Sequence, residues 1–242
     1  MIFKDTFYIG YRDIDTNLKI KNSAILNIFE DIAGMHAAEA GEGLKDSNTT
    51  WLLTGYKVNI LKQPEHGERV DVFTWGTEIK NITASREFEI RKPSGELLIT
   101  GLSNWVHINL KTKKIEKVSK ELIDAYKLEP SKTNFNELKL KKISDPQSYL
   151  YEKTYKIDWN WIDANNHMNN IYYLEVAEMA MPDEIRKNNS YSGFEVMYKK
   201  EVKHGDTVRC LYAESEDSYI VTIKNEDLSE VYAIVKLNKK NS

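Results

Sequence analysis

The sequence predicts an α+β chain made of two copies of one unit, each a long helix set against a curved antiparallel sheet. Three observations carry this. Strand-like alternation fills most of the chain, only two segments have strong helical periodicity, and the segments around those two helices align with each other. IDTNLKIKNSAILNIFE (14–30) aligns without a gap with IDANNHMNNIYYLEVAE (162–178) at an offset of 148. Ile14 meets Ile162, Asp15 meets Asp163, Asn17 meets Asn165, Asn22 meets Asn170, Leu26 meets Leu174 and Glu30 meets Glu178. VNILKQPEHGERV (58–70) then aligns with VMYKKEVKHGDTV (196–208) at an offset of 138, so the first copy carries ten extra residues near GEGLKDSNTT (41–50).

The elements follow in order. The segment 22–40 places Ile25, Ile28, Phe29, Ile32 and Met35 on one helical face. GERVDVFTW (67–75) alternates Val70, Val72 and Thr74 against polar neighbours, and ASREFEI (84–90) alternates in the same way. RKPSGELLITG (91–101) sets a Pro-Ser-Gly turn between two strands, and SNWVHINL (103–110) is a further strand. SKELIDAYKL (119–128) is a weaker helix. From Lys127 to Ser148 the pattern lapses into a polar stretch with two prolines, as expected of an interdomain connection. The second strong helix carries Ile171, Leu174, Ala177 and Met181, with Asn169 and Asn170 where an N-cap belongs. SYIVTI (218–223) and EVYAIVKLN (230–238) are the closing strands. A helix wrapped by a curled antiparallel sheet is the hotdog unit, so the architecture expected is a tandem double hotdog. Its divisions are 1–130, a linker over 131–148, and 149–242.

Composition excludes several classes of function. A net charge of −3 argues against nucleic-acid binding, which needs a basic excess to neutralise phosphates. The single cysteine, Cys210, rules out an intramolecular disulfide and fits a reducing compartment. The opening MIFKDTFYIGYRD has no apolar run of signal-peptide length, and no stretch of 18 apolar residues spans a membrane. A cytoplasmic globular protein with no membrane partner is expected; a homodimer of the tandem unit stays open.

The differences between the copies point to chemistry. Where the second copy has His167 the first has Lys19, and where the second has Glu201 the first has Gln63. An ammonium cannot accept a proton and an amide cannot act as a carboxylate base, so any chemistry belongs to the second copy. A histidine can take a proton from water while a carboxylate orients it and supports the imidazolium. Asn165 can position water or donate to a carbonyl oxygen, Asp163 can fix a neighbour's geometry, and amides near Asn169 and Asn170 offer an oxyanion site. These parts suit hydrolysis of an activated acyl compound. The first helix, through Ile28, Phe29, Ile32 and Met35, is left to select the acyl chain. The five histidines lack metal-ligand spacing, and there is neither a glycine-rich phosphate loop nor a G-x-S-x-G elbow, so no metal or cofactor is expected. Cys210 lies in an alternating strand, where a buried structural thiol is the commoner case than a nucleophile. His36 reads as a satisfied core residue, and His66 and His204 as turn residues shared by both copies.

D-x-N-x-H-x-N-N followed by Y-x-x-E, from Asp163 to Glu175, resembles the active-site loop of fatty acyl-ACP thioesterases. Trp51-Leu52, KQPEHGERVDVFTW (62–75), the SGE turn and SNWVHINLKTKK (103–114) are similar to that family's N-terminal hotdog, and the resemblance runs from about Phe7 to Lys236. It implies hydrolysis of an acyl thioester on the phosphopantetheine arm of acyl carrier protein, with Asp163, Asn165, His167 and Glu201 matching the family's catalytic set. Plant members carry Cys directly after the Glu; Val202 stands there in this chain, which removes a thiol nucleophile from that position. An acyl-CoA thioesterase and a non-catalytic acyl-thioester sensor are the alternatives, and a hotdog dehydratase fits the Asn-rich loop less well. Lys199 and Lys200, next to Glu201, are the candidate docking point for the acidic carrier.

Overall fold

The computed structural model describes residues 1–42, 48–188 and 191–240. It divides into two compact units, Met1–Leu140 and Lys141–Ser242. The first unit runs β1 (Phe3–Tyr8), a 3₁₀ turn (Tyr11–Asp13), α1 (Asn22–Glu39), β2 (Thr49–Ile60), β3 (Arg69–Lys80), β4 (Thr83–Arg91), β5 (Leu97–Asn109) and α2 (Lys120–Tyr126). Its strands lie in the order β1-β3-β4-β5-β2, every pair antiparallel. The second unit runs β6 (Tyr151–Lys156), a 3₁₀ turn (Trp159–Trp161), α3 (Asn170–Ala180), α4 (Asp183–Asn188), β7 (Tyr191–Tyr198), β8 (Thr207–Glu214), β9 (Ser218–Asn225) and β10 (Val231–Lys239). Its order is β6-β8-β9-β10-β7, again antiparallel throughout.

The two orders are the same permutation, and the register repeats as well. Phe3 pairs with Thr74 in the first unit and Tyr151 with Tyr212 in the second, which are the sequence offsets of 148 and 138. The isolated bridge Ile14–Ile20 recurs as Ile162–Met168. The insertion expected over 41–50 lies partly outside the described residues, since 43–47 are not described.

Alternation builds each core. In β3, Val70, Val72 and Thr74 are fully buried, and Phe88 and Ile90 of β4 join them under α1, which packs on β1 and β3. In the second unit Leu174, Val176 and Ala177 of α3 are buried, and that helix packs on β6, β8, β9 and β10. Burying each such aliphatic side chain contributes about 1.5–3 kcal/mol.

Two sequence expectations change. LLITG and SNWVHINL form one strand, β5, rather than two. Gly101 does not break it; the missing side chain makes room for the Phe29 ring, which a Cβ there would meet at 2.3 Å. The apolar stripe of α1 runs through Ile25, Ile28, Phe29 and Ile32 to His36, whereas Met35 is 42% exposed. His36 takes the place in the stripe because its Nδ1 accepts a 2.9 Å bond from the buried Arg86 guanidinium. Burial, with the Arg86 charge, lowers its pKa to about 3, so it is a neutral core group.

The stretch after α2 is no free tether. Glu129 N–H donates to the Gly76 carbonyl, Trp75 Nε1 to the Lys132 carbonyl, and Asn134 N–H to Glu87, at 2.7–2.9 Å. Asn104 accepts from Leu140 N–H and donates to the Leu138 carbonyl, both at 2.8 Å, so 129–140 runs along β3, β4 and β5. Within the second unit Asp145 bonds Lys224 and Thr222.

Candidate active site

The segment Asp163–Met168 is a tight loop between the 3₁₀ turn and α3. Asp163 N–H donates to the His167 carbonyl at 2.9 Å, and Asn166 N–H donates back to the Asp163 carbonyl at 3.0 Å. Asp163 Oδ1 accepts from Asn165 N–H at 2.8 Å and from His167 N–H at 3.4 Å, while Oδ2 accepts from Asn165 Nδ2 at 3.2 Å. The chain can reverse so sharply because Asn166 adopts a left-handed φ of 64°, which asparagine tolerates better than most residues. Both backbone groups of His167 are thereby fixed, and its ring is aimed by the loop.

The side chain that meets it comes from the β7–β8 connection. His167 Nε2 lies 2.8 Å from Glu201 Oε2, with the imidazole 19% exposed and the carboxylate 53% exposed. A carboxylate only accepts, so Nε2 donates in this contact. Met168 N–H donates to the Val202 carbonyl at 2.7 Å, lacing the two loops together one residue beyond each functional side chain. The pair is thus oriented, partly sheltered and open to water.

The first unit supplies an internal control. Asn17 N–H and Lys19 N–H donate to Asp15 Oδ1 at 2.8 and 3.1 Å, Asp15 N–H to the Lys19 carbonyl at 2.9 Å, and Leu18 holds φ at 61°. The loop is therefore reproduced where no histidine stands. Asp163 and Asn165 shape the loop in the second unit as Asp15 and Asn17 do in the first, whereas the His–Glu pair is peculiar to the second. Gln63, in the place of Glu201, donates to the Ile20 carbonyl at 3.3 Å.

The other expected parts are distributed unevenly. Asn169 is the N-cap of α3, its side chain accepting from Ile171 N–H at 3.0 Å. Its own N–H donates to the Trp161 carbonyl at 2.9 Å, so that amide is not available to an oxyanion. Lys199 and Lys200 are both exposed, and the Lys200 ammonium is paired with Glu230. Ile28, Phe29 and Ile32 are buried in the first unit, Phe29 stacked on Phe88 with ring centroids 4.3 Å apart. Cys210 is fully buried, and burial pushes its thiol up to about 12, which leaves it inert at neutral pH. His66 and His204 sit beside left-handed Gly67 and Gly205 and meet Tyr11 and Trp159 edge-on, as matching turns. Among the described residues no cluster of His, Cys, Asp and Glu has the geometry to hold a metal.

The family model for the acyl-ACP thioesterase N-terminal domain matches residues 1–126, and that for the C-terminal domain matches 144–239. The chain belongs to the acyl-ACP thioesterase family. An acyl-ACP thioesterase structure from Bacteroides thetaiotaomicron superposes with a TM-score of 0.82 at 25% identity, covering 98% of this chain and 97% of that one. The 12:0-ACP thioesterase of Umbellularia californica gives the same TM-score at 21% identity, covering 98% and 96%. An oleoyl-acyl carrier protein thioesterase of Arabidopsis thaliana is 24% identical over 230 residues, 86% of this chain and 63% of its own length. A chloroplastic acyl-[acyl-carrier-protein] hydrolase of Cuphea viscosissima is 23% identical over 224 residues, 87% of this chain and 54% of its own. The chain thus spans between about half and two thirds of the length of these plant relatives. The hotdog-type α+β fold of this thioesterase family member is that of the solved acyl-ACP thioesterases.

One group beside the His167–Glu201 pair escapes a reading of the sequence confined to polar motif positions. Tyr173, on α3, accepts from Val202 N–H at 3.0 Å and donates to the Lys200 carbonyl at 3.2 Å. The signal was present: at the two repeat offsets Tyr173 faces Ile25 and Val202 faces Pro64, a contrast parallel to His167 with Lys19.

Proposed function

We propose that this chain hydrolyses fatty acyl thioesters carried on acyl carrier protein, releasing the free acid and the carrier thiol. The observation that carries the reading is the 2.8 Å His167–Glu201 pair, found in one copy of a loop that both units build. Water attacks the thioester carbonyl carbon and loses its proton to the His–Glu pair; the tetrahedral adduct then expels the thiolate, which takes that proton back. Glu201 supports the imidazolium between those two transfers. Asp163 and Asn165 act by holding the loop that aims His167. No cofactor enters these steps.

Acyl-chain discrimination is assigned to the first unit, where Ile28, Phe29 and Ile32 are packed in the core and Met35 is exposed, so a change of size at the first three acts through repacking of that core. Lys199, the partner of Lys200 without an ion pair among the described residues, is the better docking charge for an acidic carrier. A cytoplasmic setting goes with the lone buried thiol, and among the described residues no helix is long and apolar enough to cross a membrane.

The test is hydrolysis of a panel of acyl-ACPs and matched acyl-CoAs by the wild type, His167→Ala, Glu201→Gln and Cys210→Ser. The first two variants should lose about 10²- to 10⁴-fold in kcat with unchanged circular dichroism, while Cys210→Ser keeps its activity. A folded Glu201→Gln protein with near wild-type kcat removes Glu201 from the mechanism. A wild type that cleaves no acyl-ACP removes the function.

A further inference from the structure

Glu201 lies in a connection without regular structure, between the end of β7 at Tyr198 and the start of β8 at Thr207. Its carboxylate is half exposed, so something other than packing must hold it against the imidazole. The Tyr173 hydroxyl binds the main chain on both sides of it, accepting from Val202 N–H and donating to the Lys200 carbonyl. That phenol is 3% exposed and meets Tyr198 edge-on at 5.4 Å, so it is itself rigid. It projects from the start of α3, four residues beyond the Asn169 cap and six beyond His167. The His-bearing loop and the Glu-bearing connection are therefore both anchored to one helix terminus.

The first unit shows what this clamp is not for. Ile25 has no hydroxyl and Pro64 has no N–H, so both halves of the clamp are missing there. Yet the neighbouring tie survives, with Ile20 N–H donating to the Pro64 carbonyl at 2.9 Å where Met168 donates to Val202 at 2.7 Å. The connection is formed without the clamp; the clamp accompanies the His–Glu pair. We propose that Tyr173 is a positioning residue, holding the peptide around Glu201 so that its carboxylate stays in hydrogen-bond reach of His167. The proposal rests on the hydrolytic reading above.

Tyr173→Phe deletes the hydroxyl, and Val202→Pro copies the first unit by deleting the N–H in a backbone that accepts proline at the equivalent place. Each should lower kcat for acyl-ACP about 10- to 100-fold, the scale of a misplaced catalytic group, with KM within about twofold of the wild type. In Tyr173→Phe the Val202 amide should also lose hydrogen-exchange protection. Measured in a Glu201→Gln background, Tyr173→Phe should cost almost nothing further, because the group it positions is already disabled. Two results overturn the proposal: folded Tyr173→Phe and Val202→Pro enzymes that both keep kcat within twofold, or an undiminished Tyr173→Phe penalty in the Glu201→Gln background. Glu201→Gln alone reports separately on the hydrolytic reading, since near wild-type turnover there condemns the mechanism rather than the clamp.

Discussion

Replacing Gly101 by Ala tests how tightly the first unit is filled around Phe29. A Cβ at that position would lie 2.3, 2.9 and 3.1 Å from three carbons of the Phe29 ring. Ordinary carbon contacts lie near ~3.5–4.0 Å, so the ring must retreat by about an ångström or more. It has little freedom to do so, being fully buried, stacked on Phe88 at 4.3 Å and tilted against Tyr56 at 6.3 Å. Overpacking of this kind costs about 1–3 kcal/mol, while the stiffer unfolded chain returns about 0.4–1 kcal/mol. The net loss expected is about 1–2 kcal/mol. Urea unfolding followed by tryptophan fluorescence would measure it, in the wild-type and Phe29→Leu backgrounds. The smaller leucine should leave room for the methyl, so Gly101→Ala should cost at least about 1 kcal/mol less in the second background. Equal penalties in both would refute the clash, and no penalty in the wild type would show that the ring moves freely.

Other outcomes follow from charges and backbone. His36 has a native pKa lowered to about 3 against 6.5 in the unfolded chain, so the unfolded state binds the extra proton between those values. Its contribution is complete above pH 6.5 and is lost as pH falls towards 3, at most on the order of 5 kcal/mol in all; His36→Gln should therefore flatten the acid limb of stability against pH, and parallel curves would contradict this. Leu18→Asn should raise Tm by about 1–4 °C in a thermal melt, because a left-handed φ of 61° strains leucine and suits asparagine; an unchanged or lower Tm would count against strain at that residue. Lys199→Glu should raise KM for acyl-ACP at low salt and leave a carrier-free acyl thioester unaffected, with a smaller effect for Lys200→Glu because Lys200 is paired with Glu230; an unchanged KM would remove this docking point.

Much of this was legible in the sequence because the repeat is legible. Matching Ile14 with Ile162 and Asp15 with Asp163 pointed to one repeated unit, whose loops carry equivalent bridges, and the shift in offset from 148 to 138 reappears in strand register. The His167–Glu201 contact also follows once the copies are compared, although the residues lie 34 apart in sequence. What escaped depends on three-dimensional contacts. Leu97–Asn109 looked like two strands because glycine usually weakens a strand, and only the Phe29 ring explains Gly101. Met35 fits the helical period but loses its place to His36, whose partner Arg86 is 50 residues away. Tyr173 reads as one more apolar helix position until its hydroxyl is seen to reach main-chain groups.

The loop at Asp15–Lys19 persists in a unit that lacks the His–Glu pair. Its backbone bonds, its bridge and even its left-handed residue are kept, although leucine is a poor occupant of that conformation. The shape therefore serves as a joint between sheet and helix in its own right, and the His–Glu pair is a tenant of that joint rather than its architect. A duplicated chain of this design carries a spare socket: Lys19→His, Gln63→Glu, Ile25→Tyr and Pro64→Val would install the second unit's constellation on an existing frame. Such a molecule is four side-chain exchanges, and no redrawn backbone, away from a candidate second reactive centre.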